Sequence, residues 1–251
     1  MVQLRNAYRE ECIKAIPYNA GAAEFHLSVT HALYRLIDAL ENQEQHYYPL
    51  LSGIEALAPL MEKFTIWAHW KDVHRMKELL LFAALDQHMQ LVKTAPTDLE
   101  AHASLATAYV TLSKLYMDPR KKALRQQPVW VSKEYASEEM LAKFRMAAER
   151  AIEEFTILDA YATRDPWVHA QLASLYHDLE IAEKEIQEYE ILLDISPDNH
   201  EVLLRLGILY FQQGHNAKGL KIYEQLQKEE EGKAEELISY YDIYLKEELF
   251  I

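Results

Sequence analysis

The chain has 251 residues, of which 50% are hydrophobic and 26% are charged, and its formal net charge is −14. This composition is typical of a soluble globular protein, and an acidic surface argues against nucleic acid as a partner because it repels phosphate groups. The longest apolar run, Leu79–Leu85, is too short to span a membrane. The single cysteine, Cys12, excludes an internal disulfide framework, and the lack of an apolar leader segment favours a cytoplasmic location.

The first quarter of the chain is predicted to be helical. The whole sequence contains only 6 glycines and 8 prolines, which favours helix almost throughout. The stretch "AAEFHLSVTHALYRLIDALEN" has the apolar spacing of an amphipathic helix, and "HYYPLL" then breaks it. We therefore expect residues 1–64 to form an N-terminal helical extension that extends or caps the rest of the chain, and not a separate sheet domain.

Further along, the sequence repeats itself at a period of 34 residues. In "QLASLYHDL" and "RLGILYFQQ" the apolar, small and aromatic residues coincide at that spacing, with Ala173 aligned on Gly207 and Tyr176 on Tyr210. The same pattern in "PTDLEAHASLATAYVTL" starts an earlier unit at Leu99. Self-similarity at a fixed period of this length is typical of stacked helix-pair repeats.

This pattern resembles the tetratricopeptide repeat (TPR) family. The resemblance implies an all-α, right-handed solenoid of antiparallel helix pairs, each with a helix A and a helix B. It also implies that Gly207 and Gly219 lie where helix A crosses helix B closely, with Tyr210 and Tyr223 filling the space around them. The implied units are 65–98, 99–165 with an insertion near 117–140, 166–199 and 200–233, and a capping helix over 234–251 follows them.

Two of the implied units fit the pattern incompletely. The segment 65–78 matches helix A poorly, although "LLLFAALDQHMQLVKTAP" supplies a fair helix B. In the unit that starts at Leu99, helix B is found only by counting back from the next unit. Its helix B positions then hold Ala151, Phe155 and Leu158.

The insertion carries Trp130 between two valines, together with a basic cluster and two prolines. A long loop in a compact domain needs a reason to be retained. We expect Trp130 to dock on the repeats, in preference to a partner contact or disorder. The alternative is that the two helices of this unit are longer than usual and that a short turn near Pro119–Pro128 joins them.

The predicted helices have recognisable ends. Capping pairs precede helix A of three units: Thr97 with Glu100, Asp165 with Pro166, and Asp198 with Glu201. Glu185 departs from the family pattern, because it stands where helix B usually has a small residue. We expect looser packing there, or a side chain that turns outward.

The resemblance also implies a binding surface, since helix A side chains at the second, fifth, sixth, ninth and twelfth positions of a TPR unit line a concave groove. In this chain those positions hold Trp167, Ala170, Gln171, Ser174, His177, Glu201, Leu204, Arg205, Ile208 and Phe211, and the Leu99 unit adds Glu100, Ala103, Thr107 and Val110. Apolar anchors with an arginine are typical of binding hot spots. Trp167, Phe211 and Arg205 are therefore candidate anchors. The alternative is that Trp167 and Phe211 are core residues beneath the insertion or the N-terminal helices.

These features predict a non-catalytic protein-interaction scaffold or adaptor that binds a peptide or helix of a partner protein in the concave groove. One alternative is a chaperone of the secretion-chaperone type for an exported or assembling protein. Another is a structural homo-oligomeric subunit that pairs through the tyrosine-rich end "SYYDIYLKEELFI".

We expect neither an active site nor a cofactor or metal. The sequence has no glycine-rich phosphate loop, G-x-S-x-G elbow or H-E-x-x-H motif. Its histidines do not have metal-binding spacing either. His69 and His74 are five residues apart, as are His26 and His31, and that spacing does not place two side chains on one face of a helix.

Overall fold

The computed structural model describes residues 1–41, 58–122 and 131–248. Regular structure in these residues is entirely helical, so the predicted all-α fold class is confirmed. The chain divides into two compact units, Met1–Glu154 and Phe155–Ile251. The helices are numbered α1 to α11 in chain order, and a short 3-10 helix spans Lys133–Ala136.

The first unit is built around one long helix. Its elements are α1 (Val2–Ala15), α2 (Ala23–Ala39), α3 (Ala58–Thr94), α4 (Leu99–Tyr116) and α5 (Pro119–Lys122), with most of α6 (Glu138–Tyr161). Helix α3 packs against both α2 and α4, and its apolar positions Leu80 and Ala84 are completely buried. By contrast, α1 has no buried residue, and the hydroxyl of Tyr8 donates a hydrogen bond to the carbonyl oxygen of Ala32 at 2.8 Å.

The second unit consists of helix pairs. Its elements are α7 (Pro166–Asp178), α8 (Ala182–Ile195), α9 (His200–Gln212), α10 (Asn216–Glu229) and α11 (Glu231–Glu248), preceded by the end of α6. Helix α7 packs against α8, α8 against α9, and α9 against α10, while α11 contacts both α9 and α10. Helices that pack together across such short connections form antiparallel hairpins. The predicted unit 166–199 thus contains α7 and α8, and 200–233 contains α9 and α10.

Two glycines lie at close contacts in this unit. A Cβ atom added at Gly207 would come within 2.7 Å of Cδ2 of Leu237 on α11, and one added at Gly219 would collide with the ring of Phe211. Such distances are far below a normal van der Waals contact, so the neighbours can approach this closely only where no side chain stands. Both glycines occupy close-contact positions, as expected, but the nearest neighbour of Gly207 belongs to α11 and not to helix B of its own unit. Tyr210 is buried in the surrounding core, and Tyr223 packs at its edge.

The segment 65–98 differs from the predicted hairpin. Residues Ala58–Thr94 form one helix of 37 residues, so 65–78 is not a separate helix A. Neither glycine nor proline occurs between Leu60 and Thr94, and a run of good helix formers without a breaker continues as one helix.

The predicted N-caps of α4, α7 and α9 agree with the structure to within one residue. Two predicted N-caps are shifted: Asp98 caps α4 instead of Thr97, and Asn199 caps α9 instead of Asp198. Asp165 caps α7 as predicted. All of these residue types are good N-caps, so the sequence does not distinguish between adjacent candidates.

The predicted unit 99–165 contains two long helices. Helix α4 has 18 residues and α6 has 24, compared with 13 in α7 and 14 in α8, so both helices are longer, as the alternative expected. The connection from Tyr116 to Glu138 contains α5 and the 3-10 helix, so it is not the short turn of that alternative. The expected helix B positions Ala151, Phe155 and Leu158 are all buried on α6. Trp130 lies outside the described residues, and its docking on the repeats stays a prediction.

Candidate functional site

The residues of α7 and α9 that are predicted to line a groove fall into three groups according to their exposure. Leu204, Ile208 and Phe211 are buried, with exposed fractions of 3%, 8% and 3%. Gln171 is half-buried. The exposed residues are Trp167, Ala170, Ser174, His177, Glu201 and Arg205, and together they are called the α7–α9 face.

Phe211 is a core residue, so the prediction that it is an exposed anchor is wrong. Its ring meets the backbone of Gly219, and the ring centroid lies 4.9 Å from that of Tyr241 on α11. Leu204 and Ile208 belong to the same apolar cluster. The alternative that Phe211 is a core residue is correct, but the neighbours that cover it come from α10 and α11.

Trp167 is 43% exposed at the start of α7. Its ring packs edge-on against Phe155, with centroids 5.4 Å apart and an angle of 70° between the ring planes. Its backbone nitrogen donates to the capping carboxylate of Asp165 at 2.9 Å. The ring contact with Phe155 orders the indole while 43% of the residue stays exposed, so that a partner could bind it at a low cost in side-chain entropy.

His177 and Glu185 form an ion pair at the other end of α7. Nδ1 of His177 lies 3.0 Å and 3.2 Å from the two carboxylate oxygens of Glu185. Glu185 is only 5% exposed, so the prediction of an outward-turned side chain is wrong: His177 supplies a donor and lets the carboxylate stay in the helix contact. The hydrogen bond to Glu185 raises the pKa of His177, against burial and the charge of Arg205.

A second set of charges lies along α9. Lys233 donates to Glu201 at 2.8 Å and thereby lowers the pKa of that carboxyl, and Nε of Arg205 lies 3.7 Å from the other oxygen of Glu201. The positive charge of Arg205 on α9 opposes the rise in pKa of both His177 on α7 and Tyr189 on α8. These three helices therefore contribute to one polar neighbourhood.

Neither Glu185 nor Lys233 is among the residues that the sequence predicts for this neighbourhood. For Glu185 the sequence did offer a signal, since this charged residue stands where the resembled family has a small one. A buried carboxylate needs a partner nearby, so the signal indicated a positively charged or hydrogen-bonding neighbour. Trp167 lies ten residues before His177, which is roughly 15 Å along a helix. The α7–α9 face therefore combines an aromatic anchor at one end of α7 with paired charges at the other.

Two histidines of the first unit, His26 and His74, make contacts between side chains in its interior. His26 bonds to Oε1 of Gln87 at 2.9 Å, and the ring of His74 packs against those of Trp70 and Tyr135. Within residues 1–41, 58–122 and 131–248, no three histidine, cysteine or acidic side chains converge in a way that could hold a metal ion. Nor does any helix in those ranges have an apolar stretch long enough to cross a membrane.

Comparisons with known proteins give a distant structural match. No family model matches the chain, and no curated protein matches it in sequence. Among the solved structures that match is YrrB, "a TPR protein with an unusual peptide-binding site". That match has 12% sequence identity and a TM-score of 0.30, and it covers 87% of this chain and 98% of the YrrB chain. Because a likeness of this degree does not show family membership, the TPR assignment rests on the repeat in the sequence.

Proposed function

We propose that the chain is a non-catalytic scaffold of the TPR type that binds a segment of a partner protein along the α7–α9 face. The observation that carries the proposal is Trp167, an indole that is exposed at a helix A position while its inner edge is fixed against Phe155. Tryptophan and arginine are the residues that most often dominate binding energy at protein interfaces. Membership of the TPR family and a cytoplasmic location are part of this proposal.

The shape of α7 favours a segment that lies along the helix. Trp167, Ala170, Ser174 and His177 recur every three to four residues, so they share one side of α7. The two small residues in the middle leave room for a partner backbone or helix between the aromatic and the charged end. A fitting segment has an apolar side chain that contacts Trp167 and polar groups that contact His177 and Arg205.

The homo-oligomer alternative draws less support from the structure. It relied on the tyrosines of the terminal helix, but Tyr240 and Tyr241 pack against the apolar core of their own chain. The secretion-chaperone alternative would use the same face and differs in the nature of the partner. The experiments below therefore test whether a protein segment binds to the α7–α9 face.

The test is a peptide selection on the purified full-length chain, followed by calorimetry with a selected peptide. Ala170→Arg places a long side chain in the middle of the face without removing a buried contact. We expect it to weaken binding at least about tenfold, equivalent to about 1.4 kcal/mol. Ala217→Arg adds the same side chain at an exposed position of α10 and is the matched control, for which we expect unchanged affinity.

Trp167→Ala tests the anchor itself. Truncation of a hot-spot tryptophan costs at least about 2 kcal/mol of binding energy, so the selected peptide should bind more than about tenfold more weakly. Circular dichroism would check that the variant remains helical. Peptides that bind both this variant and Ala170→Arg as well as they bind the wild type would place the binding surface elsewhere.

A further inference from the structure

Two buried histidines occupy the same place in two different repeat units. His102 follows the start of its unit at Leu99 by three residues, and His169 follows Pro166 by three residues. His102 places Nδ1 2.6 Å from Oε2 of Glu154 and Nε2 3.0 Å from the carbonyl oxygen of Pro96. The ring thus connects the turn before α4, the first turn of α4 and the facing helix α6.

His169 repeats this arrangement. Its Nδ1 lies 2.7 Å from Oε2 of Glu188, and its Nε2 lies 3.1 Å from the carbonyl oxygen of Thr163. Glu188 follows Glu154 by 34 residues, which is the repeat period, and in both cases the carbonyl belongs to the residue six positions before the histidine. We call each set of histidine, glutamate and turn carbonyl a His–Glu clip.

The oxygen atoms in each clip determine how many protons the ring must carry. A carboxylate and a backbone carbonyl only accept hydrogen bonds, and a neutral imidazole has a single N–H. A neutral ring would therefore turn one nitrogen lone pair toward an oxygen about 3 Å away. Water cannot relieve this conflict easily, because His102 is 7% exposed and His169 only 2%.

We propose that both histidines are imidazolium ions in the folded protein and that each His–Glu clip fastens the start of helix A to the preceding turn and to helix B. Loss of one ring proton breaks one of the two bonds and loosens the first turn of α4 or α7. The clips thus make the fastening of these turns dependent on pH.

The charged groups around both rings are acidic. The charges of Glu154 and Asp98 both favour the protonated form of His102. His169 contacts Glu188, and its Nε2 also lies 3.6 Å from Oδ1 of Asp159. Burial opposes the charge on both rings, but the glutamate hydrogen bonds, the carbonyl hydrogen bonds and the nearby carboxylates raise the pKa of each histidine. A histidine with a raised pKa stabilises the fold fully below pH ~6.5, and the contribution is lost as the pH rises through the folded-state pKa.

The unit 200–233 shows the apolar counterpart of a clip. Its equivalent positions hold Leu203 and Ile222, which are 0% and 7% exposed and belong to the core of the second unit. An apolar pair can therefore fill this place in the repeat without any proton. The double substitution His169→Leu with Glu188→Ile copies that pair into the unit 166–199.

The first experiment is nitrogen-15 NMR of the histidine rings in the wild-type full-length chain at pH ~7.5, about one unit above the pKa of an unperturbed histidine side chain. We expect His102 and His169 to carry protons on both ring nitrogens. His88 is an internal control, because burial lowers its pKa to about 4 and keeps it neutral. An unprotonated nitrogen on both clip rings at this pH would overturn the proposal.

The second experiment uses substitutions in one clip. Glu188→Gln keeps a hydrogen-bond acceptor but removes the charge, so proton binding by His169 should weaken about tenfold while that of His102 stays unchanged. The His169→Leu, Glu188→Ile variant should show a smaller fall in thermal midpoint between pH ~6.5 and ~8.5 than the wild type. A double variant with the wild-type pH dependence would show that the clip at His169 fastens nothing.

Discussion

The two units fill their helix contacts in different ways. In the second unit the helices around α9 meet through an apolar cluster, and the buried polar side chains among its described residues are His169 and Glu185, both of them paired. The described residues of the first unit bury a longer polar series: His26, Thr30, His74, Lys77, Glu78, Gln87, His88, His102, Ser113 and Ser132. Glycines and apolar residues set the contacts around α9, whereas α3 contacts its neighbours in part through buried polar side chains that hydrogen-bond to one another, such as Gln87 with His26 and Glu78 with Tyr116.

The largest expected effect is the loss of Glu78, the centre of a polar network in the first unit. Its carboxylate is 3% exposed and accepts hydrogen bonds from Tyr116 at 2.8 Å, from Lys143 at 3.3 Å and from Arg75. Glu78→Ala leaves Tyr116 buried without its acceptor and removes one of the two carboxylates that pair with Lys143. We expect the free energy of unfolding to fall by about 3–5 kcal/mol, measured by urea denaturation.

The matched control for this substitution is Glu139→Gln. Glu139 also pairs with Lys143, at 2.9 Å, but 79% of its side chain is exposed. We expect a loss of less than about 0.5 kcal/mol, because an exposed helix pair contributes little. Equal losses for the two substitutions would show that the polar network does not stabilise the first unit.

The next effect concerns His88, which contrasts with the His–Glu clips. Nε2 of His88 is buried without a hydrogen-bond partner among the described residues, and burial lowers the pKa of the ring to about 4. A histidine with a depressed pKa stabilises the fold above pH ~6.5 and destabilises it progressively as the pH falls toward the folded-state value. We expect the free energy of unfolding to fall by about 2 kcal/mol between pH ~7 and ~5.

His88→Phe should remove much of this loss at acidic pH, as judged by urea denaturation at both pH values. The clips act in a different window, because their contribution is lost as the pH rises above ~6.5. If the wild type and His88→Phe lost the same free energy between pH ~7 and ~5, the buried histidine would not be the cause.

A smaller effect is expected at the glycine contact of the second unit. Gly219→Ala gains helix propensity of about 1 kcal/mol, but the new methyl group meets the ring of Phe211, which also packs against the ring of Tyr241. Overpacking of this kind costs about 1–3 kcal/mol, so we expect a net loss of about 1 kcal/mol in thermal or urea unfolding.

Gly232→Ala is the control for the glycine contact. Gly232 lies in α11, and an added Cβ would meet nothing within 4 Å. Helix propensity then acts alone, and we expect a gain of up to about 1 kcal/mol. A gain at both glycines would contradict the close approach between α9 and α10.

The helices of the second unit could be predicted from the sequence more fully than those of the first. The period of 34 residues located the hairpins α7/α8 and α9/α10 and the close contacts of Gly207 and Gly219, because each is a local feature of the repeat. The single helix α3 was missed, since a helix B pattern at its end was extended backwards into a hairpin that no glycine or proline supports.

The candidate site was predicted in part. Helix A positions correctly placed Trp167 and Arg205 at the surface of the second unit. Phe211 occupies the same position in its unit as His177, yet it is buried and packs against Tyr241 of α11. The position of a residue within a repeat does not tell whether a later helix packs over it. The partner of Glu185 was also missed, because pairing across a helix contact depends on side-chain geometry that the period does not specify.

The smallest effect on stability is expected at Arg205, and it separates binding from folding. Its guanidinium lies 3.7 Å from Glu201, and 60% of each side chain is exposed, so Arg205→Gln should change the free energy of unfolding by less than about 0.5 kcal/mol. If the α7–α9 face binds a partner segment, the same substitution should still weaken a selected peptide, since a charge contact that water reaches in the free protein becomes desolvated on binding. Urea denaturation and calorimetry on the same sample measure both quantities. Unchanged affinity would limit the binding surface to Trp167 and its neighbours at the start of α7, whereas a large loss of stability would mean that Arg205 supports the fold.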